Sequence, residues 1–410
     1  MRTRIINAHT LEPDSGERRQ NAWIDIEDGR ITDSGVGVPP SDTGADAEVI
    51  DAAGATVMPG LVDAHVHIIV TSTDTADREN WAPGYTTVRA LTAAGEMLQR
   101  GFTTVRDVGG ADYGMARALD EGLLPGPRLV FGGKALSQTG GHGDFRTLND
   151  DSCGCCQLKP DFARVVDGVD AVRHAARDEF RKGAQHLKLL VSGGVASPSD
   201  EISAVQYTRE EIRAAVVEAD NHNRYVTVHA YHPRAVNAAL EEGVRCVEHG
   251  NLIDEDSIRL LVENDAYLVP TIITYQAMYE AGSASGLSPA SLEKLDQVRE
   301  AAVDALDQAY RAGVNIVYGS DLLGGLQYRQ LDEFTIRAAV IPNIDLIRSA
   351  TSNAARLLRM EGEIGTLAAG AHADLIIVDG DPEQDIGVLT DPDRNLRYVI
   401  KGGTVVRGGQ

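Results

Sequence analysis

Apolar and polar positions along the chain fall into three regimes. The first fifty-odd residues carry short β-type runs, RTRIINAHTL, NAWIDIEDGRI and AEVIDAAGATVMPG, closed by Gly and Asp turns. The same style returns at the far end, in ADLIIVDGD and LRYVIKGGTVVRGGQ. Between them the pattern alternates about eight times between a short apolar strand and a stretch of helical period. The strand candidates are LVDAHVH, FTTVRDVG, PRLVFGG, HLKLLVS, YVTVHA, VRCVEHG, AYLVPT and NIVYGSD. The unit from Tyr225 to Gly250 is the cleanest, with Pro233 at a helix start and Gly243 at its end, the asymmetry expected of helix termini.

This order predicts an α/β protein: a closed (β/α)8 TIM barrel over residues 59–362, joined to a small β-sandwich built from residues 1–58 and 363–410. An open doubly wound sheet fits less well, because no GxGxxG follows the first strand. The length of 410 residues accommodates one large and one small domain.

Charge and composition narrow the partners. A formal charge of −23 leaves no basic stripe for phosphates, so nucleic acid is not an expected partner. No apolar run reaches the length of a membrane span and the N-terminus has no signal-like stretch, so no membrane association is expected. Four cysteines in so long a chain do not make a disulfide framework, and a reducing cytoplasm is the expected compartment. Three of them, Cys153, Cys155 and Cys156, crowd into CGCC without a fourth metal ligand at a familiar spacing, and read as reduced loop thiols.

The chemistry lies at strand ends, where a barrel of this kind carries its active site. His65 and His67 close the first strand one residue apart and share a face. Lys188 interrupts the apolar fourth strand, His229 ends the fifth, His249 the sixth and Asp321 the eighth. A lone histidine is more often a satisfied core residue than a ligand. Six candidate ligands on five strand ends are harder to assign to packing. A lysine between Leu187 and Leu189 must bury its charge or lose its proton. The neutral amine is then open to carboxylation by CO2, giving N6-carboxylysine, whose two oxygens bridge two ions. Six ligands exceed one open tetrahedral site and suit two divalent cations holding a hydroxide. Zinc fits the histidine-rich set, and manganese, cobalt or iron would be accommodated.

With PGLVDAHVH, HLKLLVSGGVAS, VTVHAY, VEHGNLID, YGSD and GAHADLIIVDGDP, nearly the whole chain resembles the amidohydrolase superfamily, in its binuclear carboxylated-lysine branch. GGHGDFR, SGGVASPSDEI and HAY…EHGNLID are similar to its imidazolonepropionase-related, Xaa-Pro dipeptidase-like group. The resemblance implies that His65, His67 and Asp321 hold one metal, His229 and His249 the other, and Lys188 bridges. It implies Asp321 as proton shuttle, with His142 and Tyr231 contacting the substrate, and a homo-oligomer. The activity implied is amide hydrolysis releasing a C-terminal amino acid from a dipeptide or N-acyl amino acid, as in prolidase-like or ochratoxin-type enzymes. Heterocycle deamination, hydrolysis of a cyclic amide or lactone, and a non-catalytic barrel are the alternatives. Deaminases of this superfamily commonly use one metal and lack the lysine, and a barrel without activity would be expected to lose ligands.

Smaller readings complete the site. Asp63 shares the face of His65 and His67 and is expected to orient one of them; Arg106 and Asp107 are expected to form a structural ion pair. The SGGVASPSDEI loop, residues 192–202, is expected to cover the site, its amides open to a substrate carboxylate. His186 is expected to lie deeper than Lys188.

Overall fold

The computed structural model describes residues 2–40, 47–73, 80–146, 162–197, 200–282 and 287–408. Its strands, in chain order, begin with β1 (Arg2–Glu12), β2 (Glu17–Glu27), β3 (Arg30–Val36), β4 (Glu48–Asp51) and β5 (Thr56–Pro59). The central strands are β6 (Leu61–Val66), β7 (Phe102–Asp107), β8 (Arg128–Phe131), β9 (Ala135–Ser137), β10 (Ala163–Val165), β11 (Leu187–Leu190), β12 (Val226–Ala230), β13 (Cys246–His249), β14 (Tyr267–Val269) and β15 (Asn315–Ile316). The last three are β16 (Leu375–Val378), β17 (Leu396–Lys401) and β18 (Thr404–Arg407).

The strands of the two chain ends share one sheet, in the order β18-β17-β16-β5-β1-β2-β3, with β4 also paired to β1. Ile5, Ile24, Ile31, Ile50, Val57, Ile377 and Ile400 come from seven of its strands and fill one apolar core. A single core across so wide a sheet requires it to fold over on itself. The turn at Gly29 meets the turn at Gly402, where a Cβ on Gly29 would stand 3.0 Å from the Gly402 carbonyl oxygen. Gly29 has φ +81° and the contact leaves no room for a side chain, so both demands select glycine there.

The central strands are parallel and form the (β/α)8 TIM barrel. β6-β7-β8 make one hydrogen-bonded run and β10-β9-β11-β12-β13-β14-β15 the other. The third barrel strand breaks at Gly132 and Gly133 into β8 and β9, and Gln185 N–H to Phe131 O at 2.9 Å carries the ladder across the break. The seam between last and first strands closes through Ala64 N–H to Tyr318 O at 2.9 Å and Asp321 N–H to His65 O at 2.8 Å.

Alternation along β11 to β13 sorts side chains by face. Leu187, Leu189, Val226, Val228 and Val247 pack outward in the main core with the helices. Lys188, Thr227 and Cys246 occupy one register level of the inner face, and His229 and Glu248 the next. That inner face is polar because it leads up to the site.

A buried ion pair anchors one wall. Glu333 accepts the backbone N–H groups of Ile272 and Ile273, the first turn of helix Ile272–Ala281, while Arg337 Nε donates to Glu333 at 2.5 Å. Both side chains are fully enclosed. Truncating one partner leaves an uncompensated charge and two bare amides, so Glu333→Ala should lower the unfolding free energy by about 3–5 kcal/mol in urea titrations. A loss below about 1 kcal/mol would contradict this account.

Candidate metal centre

Regular strand geometry delivers only part of the site. Thr227, His229 and Tyr231 alternate onto one face of β12 and its continuation. On β13, Cys246 and Glu248 share the inner face, so a regular strand would turn His249 outward. Instead His249 has φ +75° and Asp321, just past β15, has φ +51°, both in the left-handed region. Non-glycine residues rarely adopt it, and such strain gathers at functional sites. The twist brings the His249 ring to 4.9 Å from His65 and 4.6 Å from His229, centroid to centroid.

His65, His67 and Asp321 each offer a ligand atom, and these atoms lie within 4.8 Å of one another. Asp321 Oδ1 stands 3.3 Å from His65 Nε2 and 3.6 Å from His67 Nε2. The other ring nitrogens are held from behind. His67 Nδ1 bonds the Gly109 carbonyl at 3.0 Å, His65 Nδ1 the Glu248 carboxylate at 2.8 Å, and His249 Nδ1 the Thr271 hydroxyl at 2.8 Å. His229 uses Nε2 on the Gly193 carbonyl at 3.2 Å, which leaves Nδ1 free of that contact. Rings held through one nitrogen, with the other turned into the site, are what a metal centre requires.

Lys188 is buried, and its Nζ has no hydrogen-bond partner among the described residues. Burial lowers its pKa to about 8, against the pull of Glu248 and Asp321. An unpartnered amine with an easily lost proton fits a residue that completes itself with CO2 and metal. The donor set therefore fits two divalent cations.

A second group stands above the histidines. The His142 ring stacks on His229, centroids 4.3 Å apart and planes 19° apart. Its Nδ1 lies 2.9 Å from Ser197 Oγ, and Ser197 gives its proton to Asp200. Asp200 also accepts from Gln206 Nε2 at 2.8 Å. Lys294 pins the loop by donating to the carbonyl oxygens of Gly194, Ser197 and Asp200. Gly194 lies flat on His142, where a Cβ would fall 2.1 Å from the ring, so only glycine fits. Tyr231 is buried beside His229 and accepts from the Tyr275 hydroxyl at 3.1 Å, leaving its own proton to donate.

Two sequence expectations need correction. Asp63 does not orient a histidine ring; it accepts from the His65 and Ser320 amides, the Ser320 hydroxyl and Gln330. Arg106 and Asp107 do not pair with each other, because neighbours on a strand face opposite ways. Arg106 pairs with Glu248, while Asp107 accepts the N–H groups of Ile68, Gly109 and Ala111 and so braces the chain after His67. His186 is fully buried and stacks on Tyr225. The CGCC cysteines lie outside the described residues. Residues missed from sequence were Glu248, Tyr275, Thr271, Asp200 and Lys294. Only Glu248 carried a signal, its shared parity with Cys246 on a strand already assigned to the barrel.

Burial lowers the pKa of His67 to about 4 and holds His229 and His249 well below 6.5. His65 alone moves up, since Asp321 and Glu248 outweigh burial. Between about pH 4 and 6.5 His67, His229 and His249 thus bind more protons in the unfolded chain than in the native one, against the opposite pull of Asp107, raised to about 7, and their contribution to native stability falls as pH falls through that window. Chelator-treated protein should show a lower urea midpoint at pH 5 than at pH 7, with a smaller drop in His67→Asn. A midpoint rising toward pH 5 would contradict these environments.

Among the described residues, no helix is long and apolar enough to cross a membrane. The amidohydrolase family model matches residues 56–406. Ochratoxinase from Aspergillus niger is 30% identical over 425 residues, covering 98% of this chain and 86% of that protein. A prolidase crystallised with N-methylphosphonate-L-proline superposes with a TM-score of 0.96 at 42% identity, with 100% of both chains covered. A Xaa-Pro dipeptidase with methionine bound in its active site gives a TM-score of 0.89 at 30% identity, again over 100% of both chains. The chain belongs to the amidohydrolase family, as a hydrolase of C–N bonds similar to its Xaa-Pro dipeptidase-like group.

Proposed function

We propose that this protein is a binuclear metal-dependent hydrolase that cleaves an amide bond and releases the C-terminal amino acid of a dipeptide or N-acyl amino acid. The observation that carries the reading is the gathering of His65, His67 and Asp321 within ligand distance, beside a buried and unpartnered Lys188 amine. The substrate class draws on the relatives, which include a prolidase, a Xaa-Pro dipeptidase and an ochratoxinase.

In this reading His65, His67 and Asp321 would hold one ion, His229 and His249 the second, and Lys188, carboxylated on Nζ, would serve both. Divalent metal, zinc by the nature of the donors, would supply Lewis acidity toward the scissile carbonyl and acidify water. Asp321 takes the proton of the attacking water on its carboxylate and returns it to the leaving amine. The neighbouring histidines hold Asp321 below its ordinary pKa despite burial, so it starts ionised and ready to accept. Tyr231, its oxygen already accepting from Tyr275, turns its own O–H to the carbonyl oxygen as negative charge develops there. His142 is steered by Ser197 through Nδ1 and presents Nε2 to the substrate. The loop pinned by Lys294 shields these contacts from water.

The test combines metal analysis with a screen of Xaa-Pro and other dipeptides and of N-acyl amino acids, read by amino-acid release. Two equivalents of divalent metal and a free C-terminal amino acid are expected. Lys188→Ala should lose bound metal and cut kcat/KM by more than the roughly 10–100-fold typical of an outer contact. Tyr231→Phe should lower kcat about 10²–10³-fold while KM moves little. Full turnover by Lys188→Ala with two metals retained would remove the carbamate. Ammonia release from a heterocycle, with one metal bound, would replace the reading by a deaminase.

A further inference from the structure

Glu248 sits one residue before a candidate ligand, where an extra buried negative charge needs a reason. Its side chain and that of Arg106 are both fully enclosed. Oε1 accepts from Arg106 Nη2 at 2.6 Å, from the Thr227 hydroxyl and from the Cys246 thiol at 3.3 Å. Oε2 meets His65 Nδ1 at 2.8 Å. Arg106 Nε also donates to the Ala64 carbonyl at 2.5 Å, the residue just before His65. One guanidinium therefore grips both the backbone leading into His65 and the carboxylate behind its ring.

The chemistry of that contact has one direction. A buried guanidinium 2.6 Å from Oε1 demands an anionic partner, so Glu248 stands opposite Arg106 as a carboxylate. A carboxylate has no proton to give, so His65 Nδ1 is the donor and its Nε2 carries the lone pair. The other three rings are backed by neutral groups: the carbonyls of Gly109 and Gly193 and the hydroxyl of Thr271. Only His65 among these four has a carboxylate behind the ring.

We propose that Arg106 and Glu248 form a buried, charge-balanced brace that fixes His65 in its Nδ1–H tautomer and selectively tightens the ion held with His67 and Asp321. The inference rests on the metal-centre reading above. A carboxylate on the far nitrogen raises the basicity of the ligating one and stops the ring from turning. Arg106 cancels the charge, so Glu248 serves the ring without itself attracting a cation. Both are positioning residues.

Two variants separate charge from shape. Glu248→Gln keeps the outline and removes the charge; Glu248→Asp keeps the charge and draws it back by one methylene. Zinc affinity is read by competition with a chromophoric chelator, stoichiometry by metal analysis, and ligand field by absorption of the cobalt-loaded protein. Wild type should bind two ions. Glu248→Gln should bind one of them about 10–100-fold more weakly and change one cobalt band set, with the second affinity nearly unmoved. Glu248→Asp should fall between, and Thr227→Val, which spares the ring contact, should match wild type. Equal affinities in wild type and Glu248→Gln, or equal losses at both sites, overturn the brace. Should Glu248→Gln not fold, wild-type affinity in Glu248→Asp overturns it. A wild type that binds no metal overturns the metal-centre reading instead.

Discussion

Charge enclosed at the mouth of a barrel is the constraint from which the rest of this molecule follows. Lys188, Arg106, Glu248 and Asp63 project into space that apolar strands and a ring of helices have dried, and Asp321 stands half-buried at its edge. Each isolated charge would be expelled or neutralised at that depth. The structure keeps them by pairing every one it can: Arg106 with Glu248, Asp63 with two amides, a hydroxyl and Gln330, and Asp321 with two imidazoles. Lys188 is the exception, its amine without a hydrogen-bond partner among the described residues. The pairing and the exception together give the mouth its chemical character.

That arrangement has a graded stiffness. Behind the histidines stand groups fixed by the barrel itself, the Gly109 carbonyl, the Thr271 hydroxyl and Glu248. Thr271 in turn precedes a helix whose first amides are held by Glu333. Above them His142 depends on a loop, and the loop depends on one lysine that ties three of its carbonyls to helix Pro289–Arg311. Rigid elements thus carry the ligand candidates, and a pinned loop steers the His142 ring above them. Such a division suits a family that keeps one centre and varies its loops.

The terminal sheet does different work. Its strands come from both ends of the chain, so it clasps the barrel's first and last elements together. Gly60 N–H to Asp374 O at 2.8 Å joins the strand before the site to the returning C-terminal segment. Thr103 packs so closely on Gly60 that a Cβ there would fall 2.2 Å from its hydroxyl. The first barrel strand is thus set from below as well as from its neighbours.

Periodicity along the chain determined the alternation of strands and helices, the pairing of the two ends, and which residue types sit at strand ends. These are local properties, because side-chain parity and turn chemistry are fixed within a few residues. Parity alone also placed His65 with His67, and His229 with Tyr231. Tertiary structure decided what parity could not. His249 and Asp321 reach the site only through left-handed backbone that departs from strand geometry. Arg106 found its partner 142 positions away instead of beside it, and Asp63 turned to backbone and amide instead of imidazole. Glu248, Tyr275 and Lys294 acquired contacts from elements distant in sequence. The reason is physical: a hydrogen bond to a buried charge depends on which strand ends up alongside, and one chain read in order carries no record of that neighbour.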